Sequence, residues 1–239
     1  MAAARLEVYL TADVEPDCPP YLWTWRGIEE GMPKLLDLFD AESVLGTFFV
    51  TGDTAEHYPG CVADIAARGH EVGCHGFSHQ SFATFDEARA RSEIVRTNEI
   101  LRAFAPVTSF RAPYLTLPEK FLPLLAADGI RTDSSRGRYK WKQAASTSAP
   151  GVARLAASIP PSVLRLPALV RNPWLAMLRG PVVLFVHPWE FVDLTRAAIP
   201  LDCRFRTGEP ALHDLRDTIR WFRDAGASFR RVADYRPPA

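Results

Sequence analysis

The chain has 239 residues, of which 47% are apolar, so it can bury a sizeable core in one large domain or two small ones. Its 28 basic and 28 acidic side chains cancel, which argues against a nucleic-acid partner or an anionic membrane surface. No apolar run approaches the roughly 20 residues that a membrane span needs, so an integral membrane segment is not expected.

Apolar runs of strand length alternate along the chain with segments of helical periodicity. The predicted strands are residues 6–11, 46–52, 70–74, 109–114, 130–133, 182–187 and 229–233. The predicted helices are residues 32–39, 61–68, 85–104, 118–128 and 212–225. This alternation is typical of a parallel sheet covered by helices, and about seven strands favour a (β/α) barrel. We expect residues 1–239 to form one domain.

Residues 136–180 fit this alternation least well. The segment contains five prolines and shows no regular periodicity. A long irregular insert in a compact domain is usually a functional loop or a lid. We therefore expect it to belong to the same domain and to lie near the site.

The cysteines and the first residues bear on the cellular compartment. The four cysteines are scattered, without the spacing of a zinc ribbon or a redox motif, and are too few for a disulfide scaffold. Residues 1–5 are too short and too weakly apolar for a signal peptide, and the first predicted strand begins directly after them. These observations predict a reduced, cytoplasmic protein.

Two histidines four residues apart, His75 and His79, follow the third predicted strand and are joined by a single turn. Neutral imidazole is the commonest protein ligand for zinc, and two imidazoles with a carboxylate leave positions open for water and substrate. In isolation the pair can equally be a surface histidine and a capping histidine. Partners at other strand ends favour the metal site. We expect the remaining histidines, His57, His70 and His213, at the surface.

Two carboxylates, Asp13 and Glu15, end the first apolar run. Side chains alternate along a strand, so both point the same way if the strand continues that far. One carboxylate can then bind a metal while the other takes a proton. The alternative is a solvated turn, since Pro16 and Pro19 interrupt regular structure here.

Four further residues follow predicted strands. Arg111 can pair with a carboxylate and keep it ionised, or form an ordinary surface ion pair. His187 can protonate a leaving amine, and Trp189 can offer a flat face to a sugar ring; the alternative is a core histidine with a packed Trp. Asp133 can orient His187 by accepting its ring N–H, or cap the next turn. Strand C-terminal ends form the catalytic face of (β/α) barrels, so the fold and the site predictions agree.

In this order the motifs resemble the polysaccharide deacetylase family, also called the NodB-homology domain or carbohydrate esterase family 4. The similarity covers nearly the whole chain and is carried by His75-x-x-Ser78-His79, Arg111-x-Pro113-Tyr114 and a histidine, His187, that ends an apolar strand. The resemblance implies a distorted (β/α) barrel. It also implies a hydrolase that removes an N-acetyl group from an amino sugar with a divalent metal, usually zinc.

The resemblance also implies roles for individual residues. Glu15, His75 and His79 are implied as metal ligands, and Asp13 as the general base, steadied by Arg111. His187 is implied as the general acid with Asp133 behind it, and the Tyr114 backbone N–H as an oxyanion donor. The family usually has two adjacent aspartates, whereas Val14 separates Asp13 from Glu15 here, so these two can exchange roles.

The sequence leaves the substrate open among several classes. A nucleotide-linked sugar, a lipid-linked sugar or a glycosylated metabolite suits a cytoplasmic deacetylase better than cell-wall polymer. The alternative hydrolase acts on cyclic amides or ureides, as allantoinase-like relatives of the Asp-Val-Glu type do, without a tightly held metal. An iron oxygenase also uses two histidines and a carboxylate, but usually in all-β folds. A binding module without activity is disfavoured by the full set of catalytic residues, and the oligomeric state stays open.

Overall fold

Eight parallel strands form one curled sheet in the computed structural model, which describes residues 6–22, 24–140 and 151–237. The strands are β1 (Glu7–Val14), β2 (Thr47–Val50), β3 (Glu71–Cys74), β4 (Ser109–Phe110), β5 (Thr132–Asp133), β6 (Ala153–Arg154), β7 (Val182–Val186) and β8 (Ser228–Arg230). The helices are α1 (Met32–Ala41), α2 (Gly52–His57), α3 (Pro59–Ala67), α4 (Glu87–Leu101), α5 (Leu122–Ala127), α6 (Ala168–Ala176), α7 (Leu201–Arg204) and α8 (Glu209–Asp224). No helix among these residues has both the length and the apolarity to cross a membrane.

Strand β1 is an interior strand of the sheet, next to the edge strand β7, and it pairs with three other strands. The strand order is β6-β5-β4-β3-β2-β1-β7, and β8 pairs with the first residues of β1. Because side chains alternate across a strand, Val8, Leu10 and Ala12 pack into the main core, which the helices cover. Thr11 and Asp13 point to the other face, where both contact a buried arginine. The alternation therefore places the polar side chains near the C-terminal end of β1 inside the barrel.

Ser158 joins the two edges of the sheet. Its backbone N–H donates to the carbonyl of Val183 over 2.8 Å, and its Oγ accepts from the Val183 N–H over 2.9 Å. Ser158 follows β6 and Val183 lies in β7, so this pair of bonds brings the edge strands together. The predicted distorted (β/α) barrel is confirmed, with a seam between β6 and β7 that a side chain bridges.

The bounds of some elements differ from the predicted ones because a proline or a capping residue ends or begins the element. β4 ends at Phe110, before the predicted end at residue 114, because Pro113 begins a 3₁₀ turn, Pro113–Leu115. α4 begins one residue after Asp86, whose side chain accepts from the Arg89 N–H. α2 is absent from the sequence prediction because its six residues are too few to show a helical period.

The segment 136–180 is more regular than its sequence suggests. It supplies β6 to the edge of the sheet and α6 to the outside, and α6 contains Pro173 within its length. Residues 141–150 of this segment lie outside the described residues. That the segment closes over a substrate, and that residues 1–239 form one domain, stay predictions.

Candidate active site

A cavity of about 310 Å³ opens at the C-terminal ends of β1, β3 and β7. Asp13, Glu15, His75, His79 and His187 all line it. The polar residues that follow these three strands in sequence are thus brought together at one mouth, which is where (β/α) barrels hold their reacting groups.

Glu15, His75 and His79 form a buried cluster that can hold a metal ion. The Glu15 Oε2 atom lies 2.6 Å from His79 Nε2 and 3.1 Å from His75 Nε2. One potential ligand atom from each residue lies within 4.8 Å of the other two. Burial alone would raise the pKa of Glu15, but electrostatic attraction to His79 and His187 holds it well below its usual range. The donor set suits a divalent cation.

The backbone fixes which nitrogen His75 presents to the cluster. Its Nδ1 lies 2.7 Å from the carbonyl oxygen of Arg111. A carbonyl oxygen only accepts, so Nδ1 carries the proton and the lone pair of Nε2 in the neutral ring faces Glu15. Metal-bound histidines typically make this outer contact, which fixes the tautomer and the ring orientation.

Glu93 of α4 holds the turn that carries His79, and sequence reasoning missed it. Its carboxylate accepts from the backbone N–H groups of Phe77 and Ser78 over 2.7 and 2.9 Å, and from Ser78 Oγ over 2.8 Å. His79 itself has a left-handed backbone with φ 52°. A buried carboxylate that binds two backbone amides can stabilise such a turn. No period in the polar sequence of α4 distinguishes Glu93 from its exposed neighbours.

Asp13 pairs with Arg111 in the interior of the barrel. The Arg111 Nη1 atom donates to Asp13 Oδ1 over 2.6 Å and to Thr11 Oγ1 over 2.8 Å, and Nη2 donates to Ser134 Oγ over 2.9 Å. The guanidinium is completely buried and lies over the Phe49 ring. Such an arginine fixes the orientation of the carboxylate.

His187 is oriented by Glu190 and not by Asp133, so the sequence expectation for Asp133 was wrong. His187 Nδ1 lies 2.9 Å from Glu190 Oε1, which also accepts from the His187 backbone N–H over 2.9 Å. The other Glu190 oxygen lies 2.8 Å from Arg165 Nε. Burial would lower the pKa of His187, but Glu15 and Glu190 raise it to about 9.

Asp133 instead supports the loop that follows β4. Its carboxylate pairs with Arg154 Nε over 2.7 Å and accepts from the hydroxyl of Ser135. Ser135 Oγ also accepts from the Ala112 N–H over 2.7 Å. Asp133 and Arg154 lie at the same position of the β5–β6 register, so strand pairing brings their side chains together. Glu190 takes the place expected for Asp133 because the 3₁₀ turn Pro188–Phe191 folds it back onto His187.

Tyr114 and Trp189 lie at the cavity wall in different ways. The Tyr114 side chain is 42% exposed, and its ring meets His79 edge to face at 4.9 Å. No described residue accepts a hydrogen bond from its backbone N–H. Trp189 is only 5% exposed and stacks on His187 at 4.8 Å. One face of its ring is therefore occupied by His187, and because Trp189 also lines the cavity, its contact with a sugar stays a prediction.

Lys140 brings a positive charge to the cavity wall. Its Nζ donates to the carbonyl of Tyr114 over 2.6 Å, and no carboxylate among the described residues lies within 4 Å of it. Burial lowers its pKa. Residues 141–150, which follow it, contain a further lysine and no acidic residue. Lys140 was not predicted from the sequence, because no motif in the adjacent residues indicates a functional lysine.

His70 departs from the expected surface position. It is buried, and its Nδ1 accepts from the Gly46 backbone N–H over 3.3 Å. Burial lowers its pKa to about 4. It belongs to the start of β3 and makes no contact with the metal cluster, so it is a neutral structural imidazole.

Comparison with known proteins identifies relatives of one kind. The sequence pattern described as Polysaccharide deacetylase matches residues 3–132. A peptidoglycan-N-acetylglucosamine deacetylase of Bacillus cereus is 37% identical over 112 residues, which are 46% of this chain and 37% of that protein. A chitooligosaccharide deacetylase of Sinorhizobium fredii is 31% identical over 126 residues, 52% of this chain and 54% of that protein. The chain thus spans about half or less of the length of these curated relatives.

Solved structures share the fold. A peptidoglycan N-acetylglucosamine deacetylase has a TM-score of 0.66 at 23% identity, over 96% of this chain and 87% of the other. A carbohydrate esterase family 4 pseudoenzyme from Bacillus anthracis has a TM-score of 0.68 at 14% identity, over 97% and 65%. At these identities the likeness concerns the fold alone, and an inactive relative shares it.

Proposed function

The chain belongs to the polysaccharide deacetylase family, and from this membership we propose that it is a metal-dependent hydrolase that removes the N-acetyl group from an amino sugar. The observation that carries the proposal is the convergence of Glu15, His75 and His79 beside Asp13 and His187 in one cavity. Both halves of the chemistry, a metal site and two groups that transfer protons, are thus within reach of one bound acetamide.

Glu15, His75 and His79 are the proposed ligands of a divalent cation, with zinc as the expected ion. A cation bound there would polarise the acetamide carbonyl and make a water molecule more acidic. The exchange of roles between Asp13 and Glu15 is disfavoured, since both imidazoles approach Glu15 whereas Asp13 is bound by Arg111. Arg111 keeps the Asp13 carboxylate oriented as the base.

The proposed reaction proceeds by two proton transfers. Asp13 takes a proton from the attacking water as its oxygen bonds to the acetamide carbon. The backbone N–H of Tyr114, which binds no acceptor among the described residues, donates a hydrogen bond to the carbonyl oxygen as it becomes negative. His187, kept charged by Glu190, gives a proton to the sugar nitrogen as the carbon–nitrogen bond breaks. The products are acetate and the free amino sugar.

A nucleotide-linked or lipid-linked amino sugar is the proposed substrate, and Lys140 supports that choice. An ammonium group at the cavity wall that has no carboxylate partner within the described part of the chain can bind a phosphate group of the substrate. A cytoplasmic site of action fits such a sugar, and the four unpaired cysteines are typical of a reducing compartment.

Acetate release tests the function directly. The zinc-loaded protein is assayed with N-acetylchitotetraose and with UDP-N-acetylglucosamine, and the free amine is measured beside the acetate. Asp13→Asn should lower kcat by at least about 100-fold with the zinc content unchanged. Zinc binding without acetate from any acetamido sugar would contradict the deacetylase, and turnover of allantoin instead would favour a cyclic ureide hydrolase.

The substrate class is tested with a second variant. Lys140→Gln should raise KM for UDP-N-acetylglucosamine at least about tenfold, because a charged hydrogen bond to phosphate contributes roughly 1.5–3 kcal/mol, which corresponds to about 10- to 150-fold. KM for the uncharged chitotetraose should stay unchanged. An equal rise in KM for both substrates would show that Lys140 does not select for phosphate.

A further inference from the structure

Two cysteines from distant parts of the chain meet at the wall of the candidate active site. Cys18 follows β1, and Cys203 lies in α7. Cys18 belongs to a small apolar cluster with Trp189 and Ile199, Cys203 packs against the same cluster, and both cysteines line the cavity that Glu15 also lines. Neither is joined in a disulfide. The fold has thus brought together two of the four thiols in a place that small solutes can reach.

Both cysteines are held by backbone contacts. Cys18 has a left-handed backbone with φ 44°, and its carbonyl accepts from the N–H groups of Tyr21 and Leu22. The carbonyls of Asp202, Cys203 and Phe205 all accept from the guanidinium of Arg165. These contacts limit the positions of both sulfur atoms, so their meeting follows from the packing of the two loops.

The two thiols differ in character. The hydrogen bond from Cys18 lowers the pKa of Cys203, and Arg165 and His187 add to this against the effect of burial. The same hydrogen bond, together with burial, raises the pKa of Cys18. A thiol that ionises more readily beside one that stays protonated is the arrangement of an attacking and a resolving cysteine.

We propose that Cys18 and Cys203 form a reversible disulfide when a low-molecular-weight peroxide enters the cavity. The Cys203 thiolate attacks one peroxide oxygen, the O–O bond breaks, and a sulfenic acid and one water are formed from hydrogen peroxide. The Cys18 sulfur then attacks the sulfenic sulfur of Cys203. The hydroxyl of the sulfenic acid leaves with the Cys18 proton as a second water. Two thiols lose two electrons and two protons in total, and one peroxide takes both.

Disulfide formation has a structural consequence at the site. An S–S bond of about 2.05 Å is shorter than a contact between thiols, so α7 must move roughly 1–2 Å towards Cys18. Arg165 binds α7 and also pairs with Glu190, which orients His187. The oxidised protein is therefore expected to turn over at least about tenfold more slowly. This effect on rate rests on the proposed function, whereas the disulfide itself does not.

Thiol counting tests the bond without any activity assay. Wild-type protein treated with one equivalent of hydrogen peroxide should fall from four free thiols to two after denaturation. Cys18→Ser and Cys203→Ser should each start at three and yield no intramolecular disulfide. The matched control Cys61→Ser, in α3, should start at three and fall to one. Non-reducing peptide mapping should find residues 18 and 203 in one linked peptide.

Other outcomes overturn the proposal. Four thiols retained in the oxidised wild type, a linked peptide that contains Cys61 or Cys74, or a disulfide between two chains would each contradict it. Acetate release is then compared before oxidation, after it, and after dithiothreitol. A disulfide at full yield with an unchanged rate would refute the regulatory consequence alone, and no acetate in any state would refute the proposed function while leaving the disulfide intact.

Discussion

The metal half of the site, residues 6–132, and the acid half, residues 133–208, are built in different ways. In the metal half, Glu15 follows β1 and His75 and His79 follow β3, and both strands pair with β2, so the sheet itself brings the three side chains together. In the acid half, His187 depends on Glu190, three residues later in the turn that follows β7, and on Arg165, which lies outside the sheet. The family match covers residues 3–132 and therefore coincides with the metal half. Parallel strand pairing forms the one half, whereas a turn and a contact from outside the sheet form the other.

The first prediction removes a ligand from the metal half. His79→Ala should reduce zinc from about one ion per chain to almost none and lower kcat/KM by roughly 10⁴-fold, because every later step needs the ion. His57→Ala, an exposed histidine in α2, is the matched control and should change neither value. Elemental analysis and acetate release measure the two effects. A variant that retains zinc would exclude His79 as a ligand.

The second prediction addresses the residue that sequence reasoning assigned to the acid half. Asp133→Asn should destabilise the fold by about 3–5 kcal/mol, because Arg154 is left buried without its partner charge. The exposed pair partner Glu30 gives the control, and Glu30→Gln should leave the midpoint of urea unfolding unchanged. Urea unfolding measures both. If the Asp133→Asn variant kept the wild-type stability but had a lower kcat, Asp133 would have a catalytic role.

The third prediction separates the halves directly. Glu190→Gln should lower kcat by up to about 100-fold, since His187 loses the carboxylate that orients and charges it. Zinc content should stay at the wild-type value, because no ligand is altered. The nearby exposed Asp193 provides the control variant Asp193→Asn, with kcat expected to be unchanged. Loss of zinc in Glu190→Gln would show that the two halves are not independent.

The fourth prediction concerns the imidazole in the metal half that binds no metal. Burial lowers the pKa of His70 to about 4, so between that value and about 6.5 the unfolded chain binds a proton that the folded chain does not. Stability is therefore full above pH 6.5 and falls as the pH drops towards 4, by about 2 kcal/mol at pH 5. His70→Asn should flatten this dependence in urea unfolding, whereas His213→Asn, at an exposed site, should not. If the stability of both variants depended equally on pH, the assignment of this dependence to His70 would be wrong.

Much of the metal half could be predicted from the sequence. Alternation along β1 sets Asp13 and Glu15 on one side, and the spacing of His75 and His79 fits one turn. The β4 prediction ran too long, because Tyr114 adopts a left-handed backbone after Pro113, which no hydrophobic period records. Glu93 was missed because it is a buried charge in a polar helix. Two of its partners are backbone amides, which carry no residue identity.

The acid half could be predicted only in part. The apolar run 182–186 before His187 marks the strand end, and a glutamate three residues later after Pro188 is a signal that could have identified Glu190. Nothing in the sequence indicates that Arg165 reaches Glu190, since their contact depends on how residues 161–165 pack against β7. Sequence spacing also cannot predict that Cys18 meets Cys203.

Because β1 is an interior strand, the order of synthesis on the ribosome determines when each of its edges finds a partner strand. β1 emerges first, yet one of its edges has no partner until residues 182–186 follow, about 170 residues later. At typical rates of roughly 5–20 residues per second, that edge waits for about 10–30 s. Glu15, His75 and His79 are all synthesised in the first part of this interval. The nascent chain thus holds every proposed metal ligand well before its general acid exists.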